Sequence, residues 1–192
     1  MVRSFAAGPI DPAVVNTLLE AALRAPSAGN TCGTSWVVLT GEAETGLYWE
    51  ATTDQTWRAT SPRAEGLRRA PVILLAYASA EAYVSRYAEA DKADPDLGST
   101  DLAWPVPYWT GDAAFGVMTV LLAAVDAGLG ACVLGNFRGE EVLADALGVP
   151  ASWRLFCAVP VGYPDGNDHR SPSLSRLAPT PEQRIHHGSW EA

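Results

Sequence analysis

Residues 110–135 read TGDAAFGVMTVLLAAVDAGLGACVLG, and this stretch decides what kind of fold the chain can form. Apolar and small residues occupy nearly every position from 113 to 125, so polar atoms are almost confined to the two ends. A helix that is apolar nearly all round is buried, either at the centre of a domain or in a subunit interface. We therefore predict a buried helix over 110–128, ended by Gly128, and a strand over 130–135.

The segment before this helix begins with a clear helix start. Asp11 is a suitable N-cap, and Pro12 fits the first helical position, where its missing N–H costs nothing. Apolar residues then recur at helical spacing, which predicts a helix over 12–25 that Pro26 ends. The β-branched run WVVLT at 36–40 predicts a strand.

The rest of the chain continues the alternation of strands and helices. The run PVILLAYA at 71–78 predicts a strand that is covered on both faces, because it is almost wholly apolar. A weaker helical pattern precedes it, and 79–109 predicts a short helix followed by an aromatic-rich excursion. GEEVLADALG at 139–148 predicts an amphipathic helix, and RLFCAVPVGYP at 154–164 a further strand. These patterns indicate an α/β or α+β fold built on a central sheet.

The composition limits the classes of function. The chain has 192 residues, of which 48% are hydrophobic and 18% charged, which is typical of a folded domain. With no repeat or linker visible, we expect 1–192 to form a single domain. A formal charge of −9 argues against nucleic acid or an anionic membrane as a partner. Because no apolar run is long enough for a bilayer and no signal peptide is visible, we expect a soluble, cytoplasmic protein.

The side chains that usually carry chemistry are sparse. Cys32, Cys132 and Cys157 form no close pair, and the three histidines all lie in the polar C-terminal quarter, so we expect no metal site. Cys132 and Cys157 stand in apolar runs, which predicts small core residues. The usual hydrolytic and phosphate-binding signatures are absent, so no catalytic side chain is assigned. This inventory indicates that a bound cofactor does the chemistry.

A family resemblance fits this inventory. RSFAAGPIDPAVVNTLLEAALRAPSAGNTCGTSWVVLTG at 3–41 and PYWTGDAAFGVMTVLLAAVDAGLGACVLGNF at 107–137 resemble the FMN-dependent nitroreductase family, as do LGVP at 147–150 and VPVGYP at 159–164. The resemblance implies a central mixed, mostly antiparallel sheet flanked by helices, in an intertwined homodimer. It also implies FMN as the cofactor and NADH or NADPH as the electron donor.

The resemblance also implies which residues hold FMN. The small residues after the first helix would let the backbone of one subunit lie along the flavin bound by its partner. Arg3 would lie near the pyrimidine side of the flavin, Ser4 would be a further cofactor-binding residue, and Arg176 would bind the phosphate. Backbone N–H groups of the segment after the central helix would face the N5 edge. The remaining cofactor-binding residues implied are Pro26, Ser27, Ala28, Asn30, Val133, Leu134, Gly135 and Asn136.

Several functions remain open on the sequence alone. The first is ping-pong reduction of nitroaromatics, quinones or enones, with Trp104, Tyr108 and Trp109 as a pocket lid or as packing. The second is an FMN-dependent dehydrogenase or oxidase of a natural product. The third is a flavin-binding protein without turnover. The third is favoured by a departure from the family that the chain resembles. Members of that family usually carry basic residues before the position of Met1 and more arginines in the tail, where this chain has Ala178 and Pro179.

Overall fold

The core of the fold is an antiparallel sheet of the strands β1 (Thr34–Thr40), β2 (Val72–Ala78), β3 (Gly130–Ala131) and β4 (Arg154–Gly162). The strands lie in the order β1-β2-β4-β3. The structure is a computed structural model that describes residues 1–92, 94–168 and 171–190. Within these residues every strand pair is antiparallel, so the mostly antiparallel sheet implied by the resemblance is confirmed.

Helices cover both faces of this sheet. One face carries the first and the longest helix, and the other carries three shorter helices. Alternate residues of β2 serve the two cores: Leu74 faces one and Ile73 the other, because successive side chains of a strand point to opposite faces. The helices are α1 (Pro12–Ala22), α2 (Gly41–Thr52), α3 (Gln55–Thr60), α4 (Ala64–Arg68), α5 (Ala80–Tyr87), α6 (Tyr108–Asp126) and α7 (Glu140–Leu147).

The first helix starts as predicted and ends earlier. The Asp11 carboxylate accepts the Ala13 N–H at 2.8 Å, which is the expected N-cap. The α-helix ends at Ala22. The Leu23 N–H still bonds four residues back, but those of Arg24 and Ala25 bond three residues back, which tightens the last turn ahead of Pro26. The sequence pattern predicted three further residues, to position 25, so only the boundary differs.

The weakly patterned stretch between β1 and β2 contains the helices α2, α3 and α4. A few large buried side chains hold these helices on the sheet: Tyr48 and Trp49 are each 3% exposed, and Leu67 packs in the same core.

The predicted strand over 130–135 is shorter than expected. After β3 the chain continues as an irregular edge, which stays bonded to β4 through the Cys132 N–H and through a bridge between Leu134 and Ala158.

The long helix α6 has two different faces. Its inner face packs on the sheet through Val117 and Val120, which are 4% and 0% exposed. By length and composition alone α6 is long enough and apolar enough to cross a membrane, so the expectation that no apolar run has that length was wrong. Its outer face exposes large apolar side chains in the single chain: Phe115 (53%), Met118 (51%), Leu122 (60%) and Val125 (72%). The prediction of burial is therefore confirmed for one face, and the other face is left uncovered by this chain.

Candidate functional site

The N-terminal segment lies along the outer edge of the sheet, beside β3. The Val2 N–H donates to the Ala131 carbonyl at 2.9 Å, and Phe5 bridges to Pro164. Phe5 is fully buried and packs on Gly162, where a Cβ atom would lie 2.9 Å from the ring. This close packing fixes the segment that carries Arg3 and Ser4 next to β3.

The segment after β3 directs part of its backbone away from the sheet. The N–H groups of Cys132 and Leu134 donate to carbonyls of β4, at 3.2 and 2.9 Å. Because alternate residues of an antiparallel strand point to opposite sides, the N–H groups of Val133 and Gly135 point away from β4. They belong to the segment whose N–H groups, by the family resemblance, are expected to face the flavin.

Asn136, which ends this segment, turns its side chain toward α2. The Tyr48 hydroxyl donates to Asn136 Oδ1 at 3.1 Å, and burial raises the pKa of Tyr48 to about 12, so the hydroxyl stays protonated at neutral pH. Within the described residues, the buried Asn136 Nδ2 has no hydrogen-bond partner. A buried donor without an acceptor is costly, which marks this edge as incomplete in the single chain.

Arg3 and Ser4 open onto a cleft of about 160 Å³, which we call the arginine cleft. The Ser4 hydroxyl donates to Asp165 Oδ2 at 2.8 Å, and Arg69 donates to the same oxygen at 2.7 Å. The hydroxyl of Ser4 is therefore engaged within the chain. The lining of the arginine cleft is Arg3, Ser4, Pro62, Arg63, Glu65, Gly66, Arg69, Asn167 and Asp168. Arg3, Ser4 and residues 133–136 together form what we call the β3 half-site.

The small-residue loop before β1, residues 26–30, is hydrogen-bonded to a buried carboxyl group on α6. Asp112, near the start of α6, is 6% exposed and accepts both the Ala28 N–H and the Tyr83 hydroxyl, each at 2.7 Å. Burial, and then the bond to Asp112, raise the pKa of the fully buried Tyr83. Both donors thus share one carboxyl acceptor at short distance, which ties the loop to α6.

The loop backbone adopts an unusual conformation. Gly29, Asn30 and Cys32 have φ values of 64°, 55° and 53°, the left-handed region that non-glycine residues seldom occupy. A Cβ atom on Gly29 would lie 2.7 Å from the Tyr87 ring, and Arg86 Nε donates to the Gly29 carbonyl at 3.0 Å. The surrounding residues therefore hold a strained turn in place, as is common where a backbone approaches a ligand.

The three predicted pocket aromatics separate into packing and surface. Trp104 is 8% exposed, donates from Nε1 to the Leu97 carbonyl and packs edge-on against Tyr87 with ring centroids 4.7 Å apart. Trp109 is half-buried in the same cluster. Tyr108 is 43% exposed and lines a cleft with Pro26, Ser27, Ala28 and Phe115. Residues 26–30 and Tyr108 form what we call the β1 half-site.

The structure brings the predicted residues together in two groups that stay apart. The half-sites lie at the two outer strands, β1 and β3, which are three strand spacings, or about 14 Å, from each other. Helix α6 joins them: its first turns hold the loop through Asp112, and β3 starts four residues after the helix ends. Arg176 lies on the exposed tail, where its N–H donates to Ser173, and no described contact joins it to either half-site.

Two important residues were not found from the sequence. Asp112 is an acidic residue inside an otherwise apolar helix, and that isolation was the available signal. Arg63 lies in the weakly patterned stretch, and only the fold places it in the arginine cleft. Cys132 and Cys157 are buried as predicted, and burial raises the pKa of Cys157 to about 12.

Similar proteins agree on one family. A model of the nitroreductase family matches residues 1–163. The chain is 30% identical to a 5,6-dimethylbenzimidazole synthase of Rhodospirillum rubrum, covering 92% of this chain and 82% of that protein. It is 27% identical to an Archaeoglobus fulgidus protein provisionally named NADH dehydrogenase/NAD(P)H nitroreductase, covering 98% and 92%. An FMN-dependent nitroreductase structure from Clostridium difficile has the same fold, with a TM-score of 0.66, 17% identity, and coverage of 98% and 94%.

Proposed function

Because this chain belongs to the nitroreductase family, we propose that it is a cytoplasmic FMN-dependent oxidoreductase that works as a homodimer. Residues 1–192 would form one flavin-binding domain, and NADH or NADPH would supply electrons for a nitroaromatic, quinone or enone acceptor. The observation that carries the proposal is the pair of half-sites. The β3 half-site offers a guanidinium group and backbone N–H groups, and the β1 half-site offers small side chains on a fixed backbone. A flat, anionic cofactor needs both kinds of contact.

The residues present fit FMN. The flavin edge carries hydrogen-bond acceptors, and the β3 half-site offers the outward N–H groups of Val133 and Gly135 beside the guanidinium of Arg3. The β1 half-site offers small side chains over a rigid backbone, which suits close approach of a flat ring. The buried Asn136 Nδ2, unpartnered among the described residues, adds a further donor at the same edge.

The two half-sites would meet across a two-fold axis. Helix α6 has 19 residues and is therefore about 28 Å long, with a half-site near each end. A second copy packed antiparallel on the exposed apolar face of α6 would bring the loop of one chain to the β3 edge of the other. The same packing would bury Phe115, Met118, Leu122 and Val125, so one contact completes the sites and covers the helix.

Bound FMN would supply hydride-transfer chemistry between the nicotinamide donor and the acceptor. The chain's own residues would orient the ring and set its electrostatics, and no side chain is assigned as an acid or base. Tyr108 and Phe115, both partly exposed beside the loop, would border the space that donor and acceptor occupy in turn. A single space used alternately predicts ping-pong kinetics.

A second candidate is oxidation of an organic substrate by the same flavin site. It is favoured by the 30% identity to a relative that is named as a synthase, 5,6-dimethylbenzimidazole synthase, and not as a reductase. Both candidates need FMN in the same place. They differ in the direction of electron flow.

Absorbance and turnover test the proposal together. We expect the purified protein to be yellow, or to become saturated on titration with FMN, and to oxidise NADH or NADPH when a quinone is added. Oxygen uptake with an organic substrate, and no turnover with either nicotinamide, would favour the second candidate. A colourless protein that FMN at high micromolar concentration does not saturate would contradict both, and would indicate a scaffold without flavin.

A further inference from the structure

Arg63 lies beside Arg3 in the arginine cleft, although the two are 60 positions apart in sequence. It stands at the start of α4, and α4 packs directly on the N-terminal segment. A Cβ atom on Gly66 would lie 2.8 Å from both the Arg3 carbonyl oxygen and Ser4 Oγ, and the Phe5 N–H donates to the Gly66 carbonyl. This close approach fixes the start of α4, and therefore Arg63, at the β3 edge.

The acidic residues around the cleft are already engaged by other groups. Asp165 accepts from the Ser4 hydroxyl and Arg69, and from the Asn167 N–H at 2.8 Å. Glu65 pairs with Arg69 at 3.3 Å. Asp168 accepts the backbone N–H of Arg3 at 3.1 Å. Arg69 is thus neutralised by two carboxylates.

The guanidinium groups of Arg3 and Arg63, which also line the cleft, are not engaged in this way. In residues 1–92, 94–168 and 171–190, neither Arg3 nor Arg63 forms an ion pair through its side chain. Burial raises the pKa of the Cys132 thiol. The positive charges of Arg3, the N-terminus and Arg63 oppose that rise, whereas the negative charge of Asp168 adds to it. The charges of the cleft, that of Arg63 among them, therefore act on the residue directly before Val133.

We propose that Arg63 is a second FMN-binding residue, whose guanidinium acts with that of Arg3 at the pyrimidine edge of the flavin. The inference rests on the proposed function. The segment that follows Cys132 is the one expected at N5, which lies in the central ring between the pyrimidine and dimethylbenzene rings of the flavin. Of these two rings only the pyrimidine ring carries hydrogen-bond acceptors, so it is the one that two guanidinium groups suit. The phosphate, in contrast, is at the far end of the ribityl chain.

A pair of cations at this edge has a specific electrostatic consequence. The flavin gains negative charge on its pyrimidine ring when it is reduced, so the two guanidinium groups stabilise the reduced form more than the oxidised form. Arg63 therefore raises the reduction midpoint potential, which a residue that only supports the fold would not do.

The test compares variants of one helix. Arg63→Gln removes the charge and keeps a polar side chain, Arg63→Lys keeps the charge, and Arg68→Gln is the matched control on the exposed side of α4, outside the cleft. The full chain is loaded with FMN or with riboflavin, and the midpoint potential and both dissociation constants are measured. Circular dichroism and thermal melting verify that each variant is folded.

We expect Arg63→Gln to lose about tenfold in relative affinity for the reduced form, which corresponds to a midpoint about 30 mV lower for a two-electron couple. Riboflavin and FMN should weaken together, Arg63→Lys should recover part of the loss, and Arg68→Gln should match the unaltered protein. An unchanged midpoint in Arg63→Gln, or a loss for FMN without any loss for riboflavin, would overturn the inference while the proposed function stands. If the unaltered protein binds no flavin, the proposed function fails first, and the inference falls with it.

Discussion

The two half-sites at the outer strands differ in how far the chain itself satisfies their hydrogen-bonding groups. At the β3 edge, the Arg3 guanidinium and the outward N–H groups of Val133 and Gly135 have no partner among the described residues. At the β1 edge the loop is fully tied down, with Ala28 bonded to Asp112 and Gly29 to Arg86. The first edge therefore keeps donors that a ligand can use, whereas the loop at the second edge is bonded within the chain. Substitutions at the β3 edge should therefore change the charge-dependent binding of flavin. Substitutions at the β1 edge should change the conformation of the loop and the stability of the protein.

The largest effect should come from separating the two half-sites. Leu122→Glu places a charge on the exposed face of α6, so a dimer across this face would bury two unpaired carboxylates. We expect a monomer by light scattering and FMN affinity reduced by roughly a hundredfold or more, about 3 kcal/mol. Val142→Glu on α7, on the other side of the sheet and also exposed, is the control. A Leu122→Glu protein that stays dimeric and yellow would break the link between the half-sites.

The next effect concerns the support beneath the loop. Asp112→Ala leaves the Ala28 N–H and the Tyr83 hydroxyl without their acceptor, which should cost about 2–4 kcal/mol in the free energy of unfolding. Tyr83→Phe removes only one donor and should cost about 1 kcal/mol. Urea unfolding measures both values. Equal losses in the two variants would mean that the bond to the loop contributes nothing.

A smaller effect should come from the tail. If Arg176 binds the phosphate, Arg176→Ala should weaken FMN by about 1.5–3 kcal/mol and leave riboflavin binding unchanged, because riboflavin has no phosphate. Arg184→Ala, on the same exposed tail, is the control. Fluorescence titration with both flavins measures the difference. A loss for both flavins, or for neither, would remove Arg176 from the phosphate site.

The smallest effect should come from Arg3. Arg3→Ala should weaken oxidised FMN modestly and lower the midpoint by about 30 mV, equivalent to about 1.4 kcal/mol against the reduced form. Arg3→Lys should recover part, because the point charge survives while the planar fork is lost. If neither the midpoint potential of Arg3→Ala, measured by potentiometric titration, nor its FMN affinity differs from that of the unaltered protein, Arg3 does not contact the flavin.

The sequence predicted the parts of the fold that have strong local patterns. The apolar runs of β2 and α6 and the N-cap at Asp11 are local signals, and each element formed close to its predicted position. The short helices α3 and α4 are held by a few buried side chains such as Leu67, so they leave little periodicity to read.

The candidate site was harder to predict because it depends on tertiary contacts. The loop was recognised by its small residues, but its support by Asp112 comes from 84 positions away. Arg63 likewise reaches Arg3 only through the packing of Gly66 on the N-terminal segment. Trp104, a pocket candidate by residue type, is a packing residue because α5 and the loop before α6 enclose it.

The most direct test of the account is complementation between two damaged chains. Arg3→Glu disables the β3 half-site by charge repulsion, and Ala28→Phe disables the β1 half-site by bulk. Each homodimer should bind no FMN. The two variants are co-expressed with different tags, and the mixed dimer is purified through both. If each flavin is held by half-sites from two chains, the mixed dimer has one intact site and should bind about one FMN per dimer. A mixed dimer without FMN would show that both half-sites act within one chain, and would contradict the account.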